Sequence, residues 1–196
     1  MLQDSFFRVD VVNRIYDTVV FEKTTAGSYT FTVPEEYNYI IVEYAGARGA
    51  NSLVPKNAVA AGKGAVLKTG RIPTDGLTVF GVVAAQGNGV SGGSGYRSGT
   101  NGGQTASNRY GGGGGGSTSV QYNTVVLEAG GGAGQAFYAG SSPAGDEYLR
   151  GGDGGGAYGG VHHITSGSND ATDPGRIALN SGNGYVKIWA GYDPYF

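Results

Sequence analysis

The chain has no cysteine among its 196 residues, which excludes disulfides and thiolate metal sites and favours a protein that folds in a reducing compartment. Charge is sparse. With 13 basic and 15 acidic residues the net charge is −2, and no block of like charge occurs. That removes the electrostatic basis for gripping nucleic acid or an anionic membrane surface. No stretch approaches the roughly 20 apolar residues of a spanning helix, so membrane insertion is not expected. The opening "MLQDSFFRVDVVNRIY" is interrupted by Asp4, Arg8 and Asp10 and does not read as a signal peptide. An amphipathic helical stripe is also missing, and the length suits one domain.

What is abundant is glycine: 40 residues, against an average usage of about 7%. Disordered chains with such a load are poor in aromatics, whereas this one carries 14 tyrosines, 7 phenylalanines and a tryptophan. Short β-rich runs punctuate the chain: "VVFEK" (19–23), "YTFTV" (29–33), "YNYIIVEYAGA" (37–47), "GAVLKTGRI" (64–72), "LTVFGVVAA" (77–85), "TSVQY" (118–122), "TVVLEA" (124–129) and "GYVKIWA" (184–190). The first two, joined by "TTAGS", read as a hairpin. Tyr29, Phe31 and Val33 alternate with Thr30 and Thr32, and Ile40, Val42 and Tyr44 share one face. Pro34, without an N–H, ends its ladder. Eight strands and no helix predict an antiparallel two-sheet sandwich.

Four glycine segments, 87–103, 111–116, 130–135 and 151–160, lie between these strands, which places them as loops gathered at one end of the sandwich. Ordering a glycine costs about 0.5–1 kcal/mol more than ordering an alanine, so fixing roughly thirty of them would cost up to tens of kcal/mol. Either the loops stay mobile or they gain something that only glycine permits. Extended backbones of the polyproline-II kind can pack at close range when no Cβ intervenes and can share their N–H and C=O groups with neighbours.

Catalytic and ligand-binding patterns are weak. The six-glycine run leads into "STSVQY", a strand, and "AGKGA" around Lys63 lacks the hydroxyl residue of a phosphate loop, so no nucleotide site is expected. Adjacent His162 and His163 point to opposite faces of an extended segment, while Asp170 and Asp173 are ordinary turn formers, so no metal is assigned. Nothing distinguishes Glu35, Glu36, Asp146 and Glu147 as a carboxylate pair, and the serines and histidines form no triad, so the chain is read as a non-enzyme without cofactor.

Tyr96, Tyr110, Tyr138, Tyr148 and Tyr158 lie in or beside the glycine segments, with Arg97, Arg109 and Arg150 next to three of them. Tyrosine and arginine dominate binding hot spots, which makes these residues candidates for partner contact. They serve equally well as covers for packed glycine, and both readings are open. Residues 1–18 form an apolar segment, and 191–196 an aromatic tail, flanking a domain at 19–190. Phe6, Phe7, Val9 and Val11, with Tyr195 and Phe196, are candidates for docking into a larger assembly, although the leader would equally cover its own domain.

Taken together, "YTFTVP" (29–34), "IIVEYAGARGA" (40–50), "GKGAVLKTGRIP" (62–73), "GLTVFGVVAAQG" (76–87), "GGGGGGSTSV" (111–120), "VVLEAGGGAG" (125–134) and "GNGYVKI" (182–188) resemble the glycine-rich domain of phage tail adhesins, of bacterial surface proteins, and of the extracellular part of the anaplastic and leukocyte tyrosine kinase receptors. The resemblance runs from about Phe21 to Ala190. "GARGA" (46–50) and "GVVAAQG" (81–87) are poorer in glycine than the family's segments. The resemblance implies a jelly-roll-like sandwich with an inserted polyglycine-II helix bundle. It further implies a virion protein assembled in the host cytoplasm, tail or fibre associated, present in multiple copies among other virion proteins, whose loops bind a host surface protein or glycan. An architectural capsid or tail decoration and a bacterial surface protein are the alternatives. An ice-binding face would want glycine at every third position, a period that "GGDGGGAYGG" does not keep.

Overall fold

The structure, a computed structural model, describes residues 17–52, 61–103, 110–135, 137–139, 147–149 and 178–196. In chain order the strands are β1 (Thr18–Lys23), β2 (Gly27–Thr32), β3 (Tyr39–Ala45), β4 (Gly64–Lys68), β5 (Ile72–Pro73), β6 (Thr78–Val83), β7 (Thr118–Tyr122), β8 (Val125–Ala129), β9 (Phe137–Ala139), β10 (Glu147–Leu149), β11 (Ala178–Asn180) and β12 (Tyr185–Gly191). One sheet has the order β1-β12-β3-β4-β11, with β5 also beside β3; the other has the order β2-β6-β7-β8; β9 and β10 pair separately. The pairs are antiparallel, and no helix occurs among the described residues.

The inward alternation of each strand builds a sandwich-like core. Ile40, Val42, Tyr44, Val186 and Ile188 of the first sheet meet Tyr29, Val79, Val83, Val120 and Leu127 of the second, with Ile40, Val42, Val79, Val120, Val186 and Ile188 wholly buried. The expected faces of 29–33 and 40–44 are the observed ones: Tyr29 and Val33 are buried while Thr30 and Thr32 are exposed. Burial raises the pKa of the Tyr29 and Tyr44 phenols, and the Tyr29 hydroxyl donates to the Ser119 carbonyl at 3.0 Å.

Two strand expectations are corrected. Residues 19–33 do not form a hairpin: β1 pairs with β12 and β2 with β6, in different sheets. Phe21 stacks instead on Phe31 (5.1 Å between centroids) and contacts Tyr29 at 5.5 Å, so the segment joining them crosses the sandwich rather than folding back within a sheet. The run 64–72 is two strands, because Thr69 intervenes. Its N–H donates to the Val42 carbonyl and its hydroxyl accepts from the Val42 N–H, which interrupts the ladder between β4 and β5. Strands β9, β10 and β11 are additional to those expected.

Glycine segments 111–116 and 130–135 are buried throughout much of their length and joined by backbone hydrogen bonds of regular period. Gly111, Gly114 and Ser117 donate to the carbonyls of Gly103, Thr100 and Arg97; Gly112 and Gly115 to Gln135 and Gly132; Gly113 and Gly116 to Gly89 and Ala85, all at 2.7 to 3.1 Å. Successive residues thus bond to three different neighbouring segments, and each neighbour is met again three residues later. The glycine-poor "GARGA" does the same: Gly46 and Gly49 donate to Ala65 and Gly62, and Ala47 and Ala50 to Gly116 and Gly113. Glycine is kept there where backbones touch, since a Cβ on Gly49 would fall under 3.0 Å from backbone atoms of Ala133 and Gly134. A Cβ on Gly113 would likewise meet the backbone of Ser91 and Gly92 under 3.0 Å.

Candidate functional site

Glycine segments 87–103, 111–116 and 130–135 gather at one end of the sandwich, because β3 runs into Gly46, β8 into Gly130, and Gly116 and Gly184 precede β7 and β12; segment 151–160 lies outside the described residues. Two candidate contact residues face outward there. The Tyr96 N–H donates to the Ser117 carbonyl at 2.9 Å, the Arg97 N–H to Ser117 Oγ at 3.0 Å, and the Ser117 N–H back to the Arg97 carbonyl at 2.9 Å. Ser117 is itself wholly buried at the head of β7, so the backbone of 96–97 is fixed to the sheet. Tyr96 is 41% exposed. Arg97 Nε lies 3.4 Å from Glu128 Oε2, while Glu128 Oε1 is buried without a partner. Glu128 opposes Ser119 across β7 and β8, and the ion pair holds the Arg97 side chain over that strand pair.

Tyr110 does something else. It is half-buried, and its ring lies against the turn at Gly89, where a Cβ would sit 3.6 Å from its hydroxyl. That distance is ordinary contact, and it is the φ of +56 at Gly89, a conformation side chains rarely adopt, that favours glycine in the turn. Tyr138 and Tyr148 are register partners in the β9–β10 pair. Arg109, Arg150 and Tyr158 lie outside the described residues, as do Phe6, Phe7, Val9 and Val11 and the pairs His162/His163 and Asp170/Asp173.

The opposite end of the sandwich collects the start and end of the described chain around Tyr39. Asp17 Oδ1 accepts from the Tyr39 hydroxyl at 2.6 Å, and this bond is the main cause of the raised Tyr39 pKa. The Phe196 ring meets Tyr39 edge-on at 5.6 Å, and the Arg71 guanidinium lies 4.3 Å from the ring centre. Arg71 bridges Asp193 at 2.7 Å. Asn38 and Asp193 exchange two hydrogen bonds, 2.6 and 2.9 Å, which tie the tail to the start of β3. The tail residues remain outward: Tyr195 is 86% and Phe196 50% exposed.

Sequence reading missed Glu128 and the outward-facing Phe80, both hidden in strand-like runs whose facing depends on register. It also missed the role of Trp189, on the outer face of the first sheet, with Lys68 Nζ 4.5 Å and Lys187 Nζ 5.4 Å from its ring centroid. Lys63 leads into strand β4 rather than a helix, so its surroundings lack the helix N-terminus of a phosphate loop. Among the described residues no three His, Asp or Glu side chains are grouped to hold a metal ion. No protein-family model matches the chain, and no curated protein matches it.

Proposed function

We propose that the chain is a non-enzymatic structural protein of a bacteriophage particle, tail or fibre associated, that docks through its terminal segments and presents loops on a polyglycine-II bundle for attachment to a host surface. The jelly-roll-like wiring and the virion setting come from the resemblance of the motifs. The observation that carries the functional reading is the polarity of the domain. β12 runs from Tyr185, beside Ala45 at the glycine end, to Gly191, beside Tyr39, and β1 starts opposite Ala190. Both ends of the described chain therefore leave from the Tyr39 corner, separated from the glycine bundle by the seven residues of β3, roughly 20 Å.

The bundle itself is favoured by the hydrogen-bond period. A polyproline-II helix has three residues per turn, so its N–H groups point successively in three directions. Residues 111–117 reach three neighbours in that rotation. Such a support lets exposed side chains such as Tyr96 vary without disturbing the backbone beneath. Isolated protein added to host cells before phage is expected to lower adsorption, and Tyr96→Ala, at an exposed position, to weaken that competition without changing the melting temperature. Protein that neither binds cells nor competes would leave an architectural role instead.

A further inference from the structure

At the turn end of the second sheet, away from the glycine bundle, lies a cleft of about 480 Å³ walled by the crossing segment 73–77 on one side and the β7–β8 turn on the other. Its aromatic surface is the ring of Phe80, 41% exposed. Phe80 and Thr78 both face outward on β6, and Asn123 lies two residues beyond Gln121, the register partner of Phe80. Asp75 and Asn123 line the cleft from opposite walls. We propose that this cleft binds a neutral sugar, with the pyranose stacked on Phe80 and its hydroxyls taken by Asp75, Asn123 and Thr78.

Three features select that ligand. The C–H face of a pyranose is drawn to the negative face of an aromatic ring, while its rim needs donors and acceptors in alternation. Asp75 offers two acceptors and the Asn123 amide offers both kinds, and among the described residues no hydrogen bond or ion pair occupies either side chain. Among the described residues no lysine or arginine lines the cleft, so it is not built for a phosphate, sulfate or uronic acid, and the Asp75 carboxylate repels them.

The walls are also held in place. Thr74 donates from its N–H to the Asn38 carbonyl at 3.0 Å and from its hydroxyl to the Tyr37 carbonyl at 2.7 Å, and Val33 N–H donates to the Leu77 carbonyl at 2.9 Å. Gly76 at φ +61 and Asn123 at φ +48 set the two turns. A cleft whose walls need no ordering on binding retains more of its contact energy. Its volume falls in the range of small-molecule sites.

The site is independent of the virion reading, and its test uses only the purified full chain. In ¹⁵N-labelled protein titrated with glucose, galactose, mannose and N-acetylglucosamine to tens of millimolar, at least one sugar is expected to shift the amide signals of 74–78, 80 and 123 with a millimolar dissociation constant. Phe80→Ala, at an exposed position, and Asn123→Gly, which keeps the turn conformation, should each weaken that binding about tenfold with the rest of the spectrum unchanged. Glucuronic acid should bind more weakly than glucose, and Asp75→Asn should narrow that gap. The proposal is overturned if none of the four sugars moves the cleft amides, if the shifts persist in Phe80→Ala, or if glucuronic acid binds as well as the best neutral sugar.

Discussion

The two halves of this domain are folded by opposite means. In the sandwich, two sheets about 10 Å apart are filled by side chains, and Ile40, Val42, Val186 and Ile188 exclude water by volume. Where the glycine segments meet, the backbones themselves fill the space. Gly113 touches Ser91 and Gly49 touches Ala133 through main-chain atoms, and each N–H of 111–117 finds a carbonyl on another segment. Side chains hold the first region together and would push the second apart, so a single methyl group has opposite consequences in the two.

The sharpest way to break that contrast is to add the methyl where the backbones meet. Gly113→Ala forces a Cβ to under 3.0 Å from Ser91 main-chain atoms. It is expected to lose about 3 kcal/mol or more in chemical denaturation, with valine worse, because neither neighbour is a side chain that can swing away. A fall in stability at alkaline pH comes next and belongs to the sandwich. The buried phenols of Tyr29 and Tyr44 ionise above their usual range in the folded state and near pH 10 when unfolded. The neutral phenol is the form the fold favours, so their contribution is complete below about pH 10 and is lost as the pH climbs toward the folded-state values. Melting temperatures are expected to be level up to that point and to drop beyond it, and Tyr44→Phe should lessen the drop.

Removing a methyl from the side-chain core is a milder insult. Ile188→Val should cost about 1 kcal/mol, measured by the same denaturation. The smallest change reverses sign. Gly70 has open space around its missing Cβ and does not adopt a positive φ, so Gly70→Ala is expected to stabilise by about 0.4–1 kcal/mol through the unfolded chain. Two glycine-to-alanine changes with opposite outcomes would place glycine's role in contact geometry rather than in composition.

Much of the sandwich was legible because its strands alternate. "YTFTV" and "IIVEY" declare their buried faces, since Tyr29 and Val33 share one parity within the first and Ile40, Val42 and Tyr44 share one within the second. Which sheet a strand joins was not legible: β1 and β2 are adjacent in the chain and similar in pattern, yet Phe21 meets Phe31 across the core rather than within a ladder. Strands β9, β10 and β11 are three residues each, too short for alternation to register. The glycine run 111–116 announced its location but not its hydrogen-bond pattern, because six identical residues carry nothing from which a three-residue alternation of partners could be read. Phe80 looks like a core-strand residue in "LTVFGVV" and Glu128 like a solvent-facing one in "VVLEA", yet Phe80 is exposed and Glu128 is buried, which only register and the covering segment at Arg97 decide. Tyr96 and Arg97 were identifiable by type, whereas their anchoring to Ser117 and Glu128 joins positions 20 or more residues apart.

Amide hydrogen exchange at residues 111–117 tests the central claim most directly. Backbone-paired glycines should be protected to the same degree as the N–H groups of β3 and β12 in the sandwich core, and should open only with global unfolding. Exchange at the rate of a free loop, with β3 and β12 still protected, would show that the glycine run is an unpaired tether and would contradict the account.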